Sequence, residues 1–254
     1  MIIDNLLQNE LLYKYRNSEK KIILLDYDGT LVEYKPKPDQ AIPTKYLLNL
    51  LGRLSEKQGT EVIIISGRDH QEIETFLGDL PIDIIAEHGA MLKEHGIWNY
   101  QAPDDSGWKD IIKPMMQQMS LKCSESFVED KHFSLAWHYR KAGQDSGYEY
   151  SRELIKMAEK FTETLGLKIL DGNMVVEIMN KAIGKGIAVK RLMARGKYDF
   201  ILSIGDDVTD EEMFEYFQHN PNAITIKVGN GKTYAKNKVA DINDVILLLK
   251  KLSQ

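Results

Sequence analysis

A single cysteine, Cys123, stands among 254 residues, so no disulfide can close within the chain, and no metal-binding spacing surrounds it. A structural thiol in a reducing, cytoplasmic setting is the expectation. Basic residues are also in short supply. Thirty-three Lys and Arg against 38 Asp and Glu leave a net charge of -5, and the basic residues are scattered, which argues against nucleic acid or another polyanion as partner. The first twenty residues break their apolar positions with Asp4, Glu10, Lys14 and Arg16, and so read as neither a signal peptide nor a membrane span. Ser/Gly-rich linkers, low-complexity runs and repeats are missing as well. What remains is a soluble globular chain, expected to be monomeric, whose 43% hydrophobic share suffices for an ordinary core.

Short apolar runs at 22–25, 62–65, 82–86, 201–204 and 223–228 read as strands buried on both faces. Helical periodicity lies between them at 44–57, 70–78, 185–194, 209–217 and 243–252, an alternation that predicts a parallel α/β sheet. The middle of the chain breaks the rhythm. Helices are predicted at 108–119 and 148–165, each followed by paired strands, 126–129 with 134–139 and 167–170 with 174–179, the second pair turning at Asp171, Gly172 and Asn173. The fold class expected is therefore a Rossmann-like parallel-sheet core, residues 1–107 and 184–254, with an inserted α+β domain at 108–183.

Reactive groups in an open parallel sheet collect at the carboxyl ends of strands. Asp26 follows the first strand in DYDGTL, with Asp28 two residues on and Gly29 supplying freedom for a tight exit turn. After the second strand comes Ser66-Gly67-Arg68, where a hydroxyl and backbone N–H groups suit phosphate oxygens, although Ser66 as cap of the helix starting near His70 is an open alternative. Lys185 opens a helix, where an ammonium works against the dipole and gains by facing an anion. The run GDDVTDEEMF after the strand at 201–204 crowds Asp206, Asp207, Asp210, Glu211 and Glu212. A capping box from Thr209 to Glu212 accounts for part of that acidity but not for Asp206 and Asp207. Oxygen ligands without His or Cys favour a hard cation, and with a phosphate substrate that cation is Mg2+.

In this order the residues resemble the haloacid dehalogenase superfamily, across Ile22 to Val228. The resemblance implies that Asp26 is a phosphate-accepting nucleophile and Asp28 the acid/base. It also implies that Ser66 and Lys185 complete the catalytic set and that Asp26, Asp28 through its backbone carbonyl, and Asp206 hold Mg2+. The insertion then corresponds to a type 2 cap that sets substrate choice. Within the superfamily the strings ISGR (65–68), AEHGAML (86–92), SLAWHYR (134–140), VVEI (175–178) and GDDVTDEEMF are similar to the trehalose-6-phosphate phosphatases. That likeness implies a small-molecule sugar phosphate as substrate, bound by Gly67, Arg68, Glu87, His88, Lys131, Arg140, Glu177 and Asn180. The sequence departs from the family where Met179, Asn180 and Lys181 stand in place of an Arg and a Pro, and Asn180 reads equally as a ligand or a turn residue. Trp98, Trp137 and Tyr139 read as core before sugar platforms, and His88 and His138 as hydrogen-bonded imidazoles before metal ligands. Rival readings are a phosphatase for sucrose, mannosylglycerate or hexose phosphates, a phosphomannomutase-like transferase, and a silent regulatory domain of a trehalose synthase assembly.

Overall fold

The computed structural model describes residues 5–142 and 144–254. The chain divides into two compact units, residues 1–101 with 184–254 and residues 102–183. The inserted unit thus begins at Ala102, where 108 was expected, and ends at Ile183.

The larger unit opens with helix α1 (Asn5–Arg16), which sequence periodicity did not reveal and which buries Leu7, Leu11 and Tyr15 at four-residue spacing. Strand β1 (Lys21–Leu25) follows, buried at every position because neighbours flank it on both sides. Next come α2 (Lys45–Ser55), β2 (Thr60–Ile65), α3 (His70–Leu77) and β3 (Asp83–Ala86), then a hairpin of β4 (Met91–Glu94) and β5 (Ile97–Tyr100). That hairpin went unpredicted because β5 is a largely exposed edge without an apolar run.

The inserted unit runs α4 (Lys109–Lys122), β6 (Phe127–Asp130), β7 (Ser134–His138), α5 (Gln144–Thr162), β8 (Leu167–Gly172) and β9 (Val175–Asn180). Its strands pair antiparallel in the order β6-β7-β9-β8, and both helices pack on that sheet. The core gathers Trp108, Ile112, Met116 and Met119 from the α4 segment with Leu135, Trp137, Leu154 and Ile178. Cys123 is a buried free thiol at the end of α4, as expected. The hairpin between β8 and β9 pairs Gly172 with Val175, so the turn is Asn173-Met174, where Asp171, Gly172 and Asn173 were read from the sequence. Met174 takes left-handed backbone at φ 59°.

The chain returns with α6 (Lys185–Met193), β10 (Phe200–Gly205), α7 (Val208–Phe217), β11 (Ala223–Val228), β12 (Asn237–Val239) and α8 (Ile242–Leu252). The eight-stranded sheet has the order β12-β11-β10-β1-β2-β3-β4-β5, parallel through β3 and antiparallel for the hairpin. β1 therefore lies between β2 and β10, with Leu25 in register with Ile64 and Ile204, and the exits of all three strands converge. Among the described residues no helix is long and apolar enough to cross a membrane.

Trp137 is fully buried in the inserted unit and donates its indole N–H to Ser120 Oγ at 3.1 Å. Trp137→Ala removes both the ring and the bond, and is expected to cost this unit about 3–5 kcal/mol in urea denaturation of the whole chain.

Candidate active site

Asp26 leaves β1 buried, its backbone N–H donating to Ile204 O at 3.0 Å, so β10 fixes where the side chain starts. Its Oδ1 accepts from Lys185 Nζ at 2.7 Å, and the same ammonium donates to Asp210 Oδ1 at 2.7 Å. Lys185 is 2% exposed and stands at the first turn of α6 with Gly184 as N-cap. Burial acts to lower its pKa, but Asp210 and Asp26 overcome that and hold the ammonium above its ordinary range. Asp26 is also shifted upward, which in a carboxyl favours the neutral form. Burial pushes its carboxyl well up, Lys185 opposes the shift, and Asp210 and Asp206 add to it.

Asp206 follows β10. Burial first, then Asp210 and Asp207, push its carboxyl up to about 7, although a hydrogen bond from Tyr34 Oη to Oδ2 at 3.0 Å works against the rise. Oxygens of Asp26, Asp206 and Asp210 all lie within 4.8 Å of one another. Asp26 Oδ2 and Asp206 Oδ1 are buried and accept no hydrogen bond, which is costly unless a cation or a ligand donor meets them. This all-oxygen set fits a hard divalent ion such as Mg2+. Asp210 fits it less well, because Oδ1 is taken by Lys185 and Oδ2 accepts from the backbone N–H groups of Asp206 and Asp207 at 2.9 and 3.0 Å. It works as a brace that fixes the Asp206 loop against Lys185.

That brace also corrects the helix start read from the sequence. α7 begins at Val208 with Asp207 as N-cap and Asp210 closing the capping box, where Thr209 and Glu212 were expected. Gly29 adjoins the cluster at φ 80°, and a Cβ there would lie 2.2 Å from Asp206 Oδ2. Only glycine fits both the turn and the approach. Tyr34 and Lys227, whose Nζ donates to Asp206 O at 2.5 Å, had no signal in the sequence.

Ser66 ends β2, 1% exposed, and its Oγ accepts from Arg68 N at 3.2 Å, which leaves the hydroxyl hydrogen to donate elsewhere. The alternative of Ser66 as a helix cap is removed: Asp69 caps α3, accepting from Gln71 N at 2.8 Å. Arg68, expected to bind substrate, is engaged by the protein. Its Nε and Nη2 donate to the two oxygens of Asp28 at 2.7 and 2.8 Å, and its Nη1 donates to Pro38 O at 2.9 Å. Asp28 is thus brought to the site as one half of a forked ion pair.

Gly67 lies against His88, where a Cβ would meet the ring at 2.4 Å. Glu87 and His88 are both buried in left-handed backbone at φ 46° and 56°, a conformation costly for residues other than glycine. Trp98 donates its indole N–H to Glu74 Oε2 at 2.9 Å.

The other expected substrate ligands lie in the inserted unit. Lys131 Nζ, from the loop between β6 and β7, and Ser134 Oγ on β7 both donate to Glu177 Oε1 on β9, at 2.9 and 2.5 Å, in a buried group. Arg140 Nη2 donates to Asn173 O at 2.6 Å. Asn180 Oδ1 accepts from Ala182 N at 2.8 Å, so this side chain shapes its own turn, the second of the two readings open for it. Tyr139 is buried in the core, and His138 is hydrogen-bonded to Glu129 at 2.7 Å.

Lys185→Met leaves Asp26 and Asp210 buried without their cation. In EDTA at pH 8 it is expected to cost about 3–5 kcal/mol. The carboxyls of the folded variant then hold protons more tightly than those of the unfolded chain, so its stability is greatest at low pH and falls as pH rises. Melting curves of wild type and variant are expected to converge toward pH 5.

Residues 24–243 match the family model described as Trehalose-phosphatase. The bifunctional trehalose-6-phosphate synthase/phosphatase of Thermoproteus tenax is 38% identical over 239 residues, 94% of this chain and 32% of that protein. The trehalose-phosphatase of Saccharomyces cerevisiae is 32% identical over 228 residues, 80% of this chain and 25% of that one. The chain thus spans about a third or less of the length of these curated relatives. Among solved structures, the C-terminal domain of C. albicans trehalose-6-phosphate phosphatase superposes with a TM-score of 0.93 at 28% identity, covering 97% of this chain and 96% of that one. A haloacid dehalogenase-like hydrolase from B. subtilis shares the fold alone, at 14% identity and a TM-score of 0.64. With its strand-end aspartates inside a match that runs from β1 to α8, the chain belongs to the trehalose-phosphatase family.

Proposed function

We propose that this chain is a Mg2+-dependent phosphatase that hydrolyses trehalose 6-phosphate through an aspartyl-phosphate. The observation that carries this reading is Asp26, buried at the exit of β1 with one oxygen on Lys185 and the other without a hydrogen-bond donor beside Asp206. Asp26 Oδ2 forms a bond to phosphorus as the bond to the sugar oxygen breaks, and Asp28 gives that oxygen a proton. Asp28 then takes a proton from a water that attacks the phosphorus, which frees phosphate and regenerates Asp26. Lys185 steadies Asp26 in line, while the Ser66 hydroxyl and the backbone amides of the turn after β2 donate to the phosphoryl oxygens. Asp26, Asp206 and the Asp28 carbonyl would hold Mg2+, which when bound would supply positive charge against the carboxylates and the phosphoryl group.

We assign sugar recognition to Glu87 and His88 after β3 and to Lys131, Arg140 and Glu177 of the inserted unit. A hydroxyl-rich disaccharide needs paired donors and acceptors, and the Lys131–Ser134–Glu177 group offers both. The family match and the C. albicans domain support trehalose 6-phosphate over the rival sugar phosphates.

Phosphate release from trehalose 6-phosphate, sucrose 6-phosphate and glucose 6-phosphate tests the reading. Trehalose 6-phosphate is expected to be the best substrate, with activity abolished by EDTA and kcat lowered ~10³-fold or more in Asp26→Asn. Equal turnover by Asp26→Asn would sink the nucleophile, and transfer to a second sugar would replace hydrolysis by mutase chemistry. Cation binding carries a second expectation. Asp206, pushed up to about 7, must lose its proton to take the ion, so apparent Mg2+ affinity is expected to fall roughly tenfold per pH unit below about 7. Titration calorimetry between pH 5.5 and 8.5 checks it, and a flat profile would remove Asp206 from the cation site.

A further inference from the structure

Three hydrogen bonds and a further ion pair hold the guanidinium of Arg68 within the protein. Nε and Nη2 grip both oxygens of Asp28, while Nη1 donates to Pro38 O and stands 2.8 Å from Glu72 Oε2, one turn along α3. The rings of Tyr27 and Phe76 lie 5.2 and 5.3 Å away, measured from their centroids to the guanidinium carbon. Arg68 is 6% exposed, whereas the Asp28 side chain keeps 25% of its surface open. The arginine is therefore sealed behind the carboxylate that it holds, and the carboxylate faces outward.

This arrangement solves a problem of aim. Asp28 sits next to Gly29 on a turn at φ 80°, where the backbone alone does little to fix a short side chain with two rotatable bonds. Two parallel N–H···O bonds lock the plane of a carboxylate, which a single lysine donor does not. Each carboxylate oxygen has two acceptor directions, so the fork takes one on each oxygen and leaves the others for proton transfer.

We propose that Arg68 is a positioning residue for the acid/base step: it holds the Asp28 carboxyl in the plane from which a proton reaches the leaving sugar oxygen. This rests on the role given to Asp28 above. Arg68 neither gives nor takes a proton. Asp28 loses one to the leaving alkoxide as the ester P–O bond breaks and the Asp26–phosphorus bond forms, and regains one from water in the second half-reaction.

The test compares kcat/KM for trehalose 6-phosphate, whose alkoxide must be protonated to leave, with that for 4-nitrophenyl phosphate, whose phenolate leaves without help. Arg68→Ala is expected to lower the sugar-ester value about 100-fold and the aryl-ester value less than about fivefold. Millimolar guanidinium is expected to restore part of the sugar-ester activity to Arg68→Ala. Arg68→Lys keeps the charge without the fork and is expected to show the same selective loss at smaller size, which carries the comparison should Arg68→Ala fail to fold. Equal losses on both esters, or no loss on either, would overturn the proposal. Asp28→Asn separates it from its premise. If Asp28→Asn fails to discriminate between the esters, the acid/base reading falls; if it discriminates and the Arg68 variants do not, the positioning role alone falls.

Discussion

Three carboxylates and one ammonium share the buried space beyond β1 and β10, and the surrounding structure is arranged to make that imbalance tolerable. Asp26, Asp206 and Asp210 come within 4.8 Å of one another around Lys185. Left to themselves, like charges in so dry a place drive a carboxyl to keep its proton, which is the direction in which both Asp26 and Asp206 move. The protein answers with fixed dipoles and hydrogen bonds. Asp210 is neutralised by Lys185 and by two backbone amides, Tyr34 donates to Asp206, and the ammonium of Lys227 holds the Asp206 carbonyl. What these leave undone is the charge on the two oxygens of Asp26 and Asp206 that accept no hydrogen bond. An acidic cluster of this kind could hold a divalent cation.

Much of this was legible in the sequence, for an identifiable reason. Asp26, Ser66 and Asp206 each directly follow a strand rich in Ile and Leu, so the boundary between core and site falls at a visible change of residue type. Lys185 stood out because an ammonium at a helix start is unfavourable in isolation. The rest was hidden by separation along the chain. Arg68 and Asp28 are 40 residues apart, Tyr34 and Asp206 172 apart, and neither partner carries a local mark of the other. The family resemblance offered Arg68 as a substrate ligand, but nothing in the sequence pointed to its fork on Asp28.

The helix start at Asp207 makes the same point at short range. Thr209 and Glu212 satisfy the capping pattern as well as Asp207 and Asp210 do on paper, but only the earlier start lets Asp210 reach back to the amides of Asp206 and Asp207 while bonding Lys185. Tertiary demand for that one carboxylate decided between two locally adequate caps. In the inserted unit Asp171 and Gly172, read from the sequence as turn residues, pair with Val176 and Val175 and so belong to β8.

Gly29 carries a consequence for how the gene for this chain can drift. A methyl group there collides with the Asp206 carboxylate and strains a backbone at φ 80°, so no base change in its codon that alters the residue leaves the site intact. Gly29 is thereby held in place as firmly as Asp26, three residues before it. A survey of inactivating variants would place it among the reactive groups, although all it contributes is the room in which they meet.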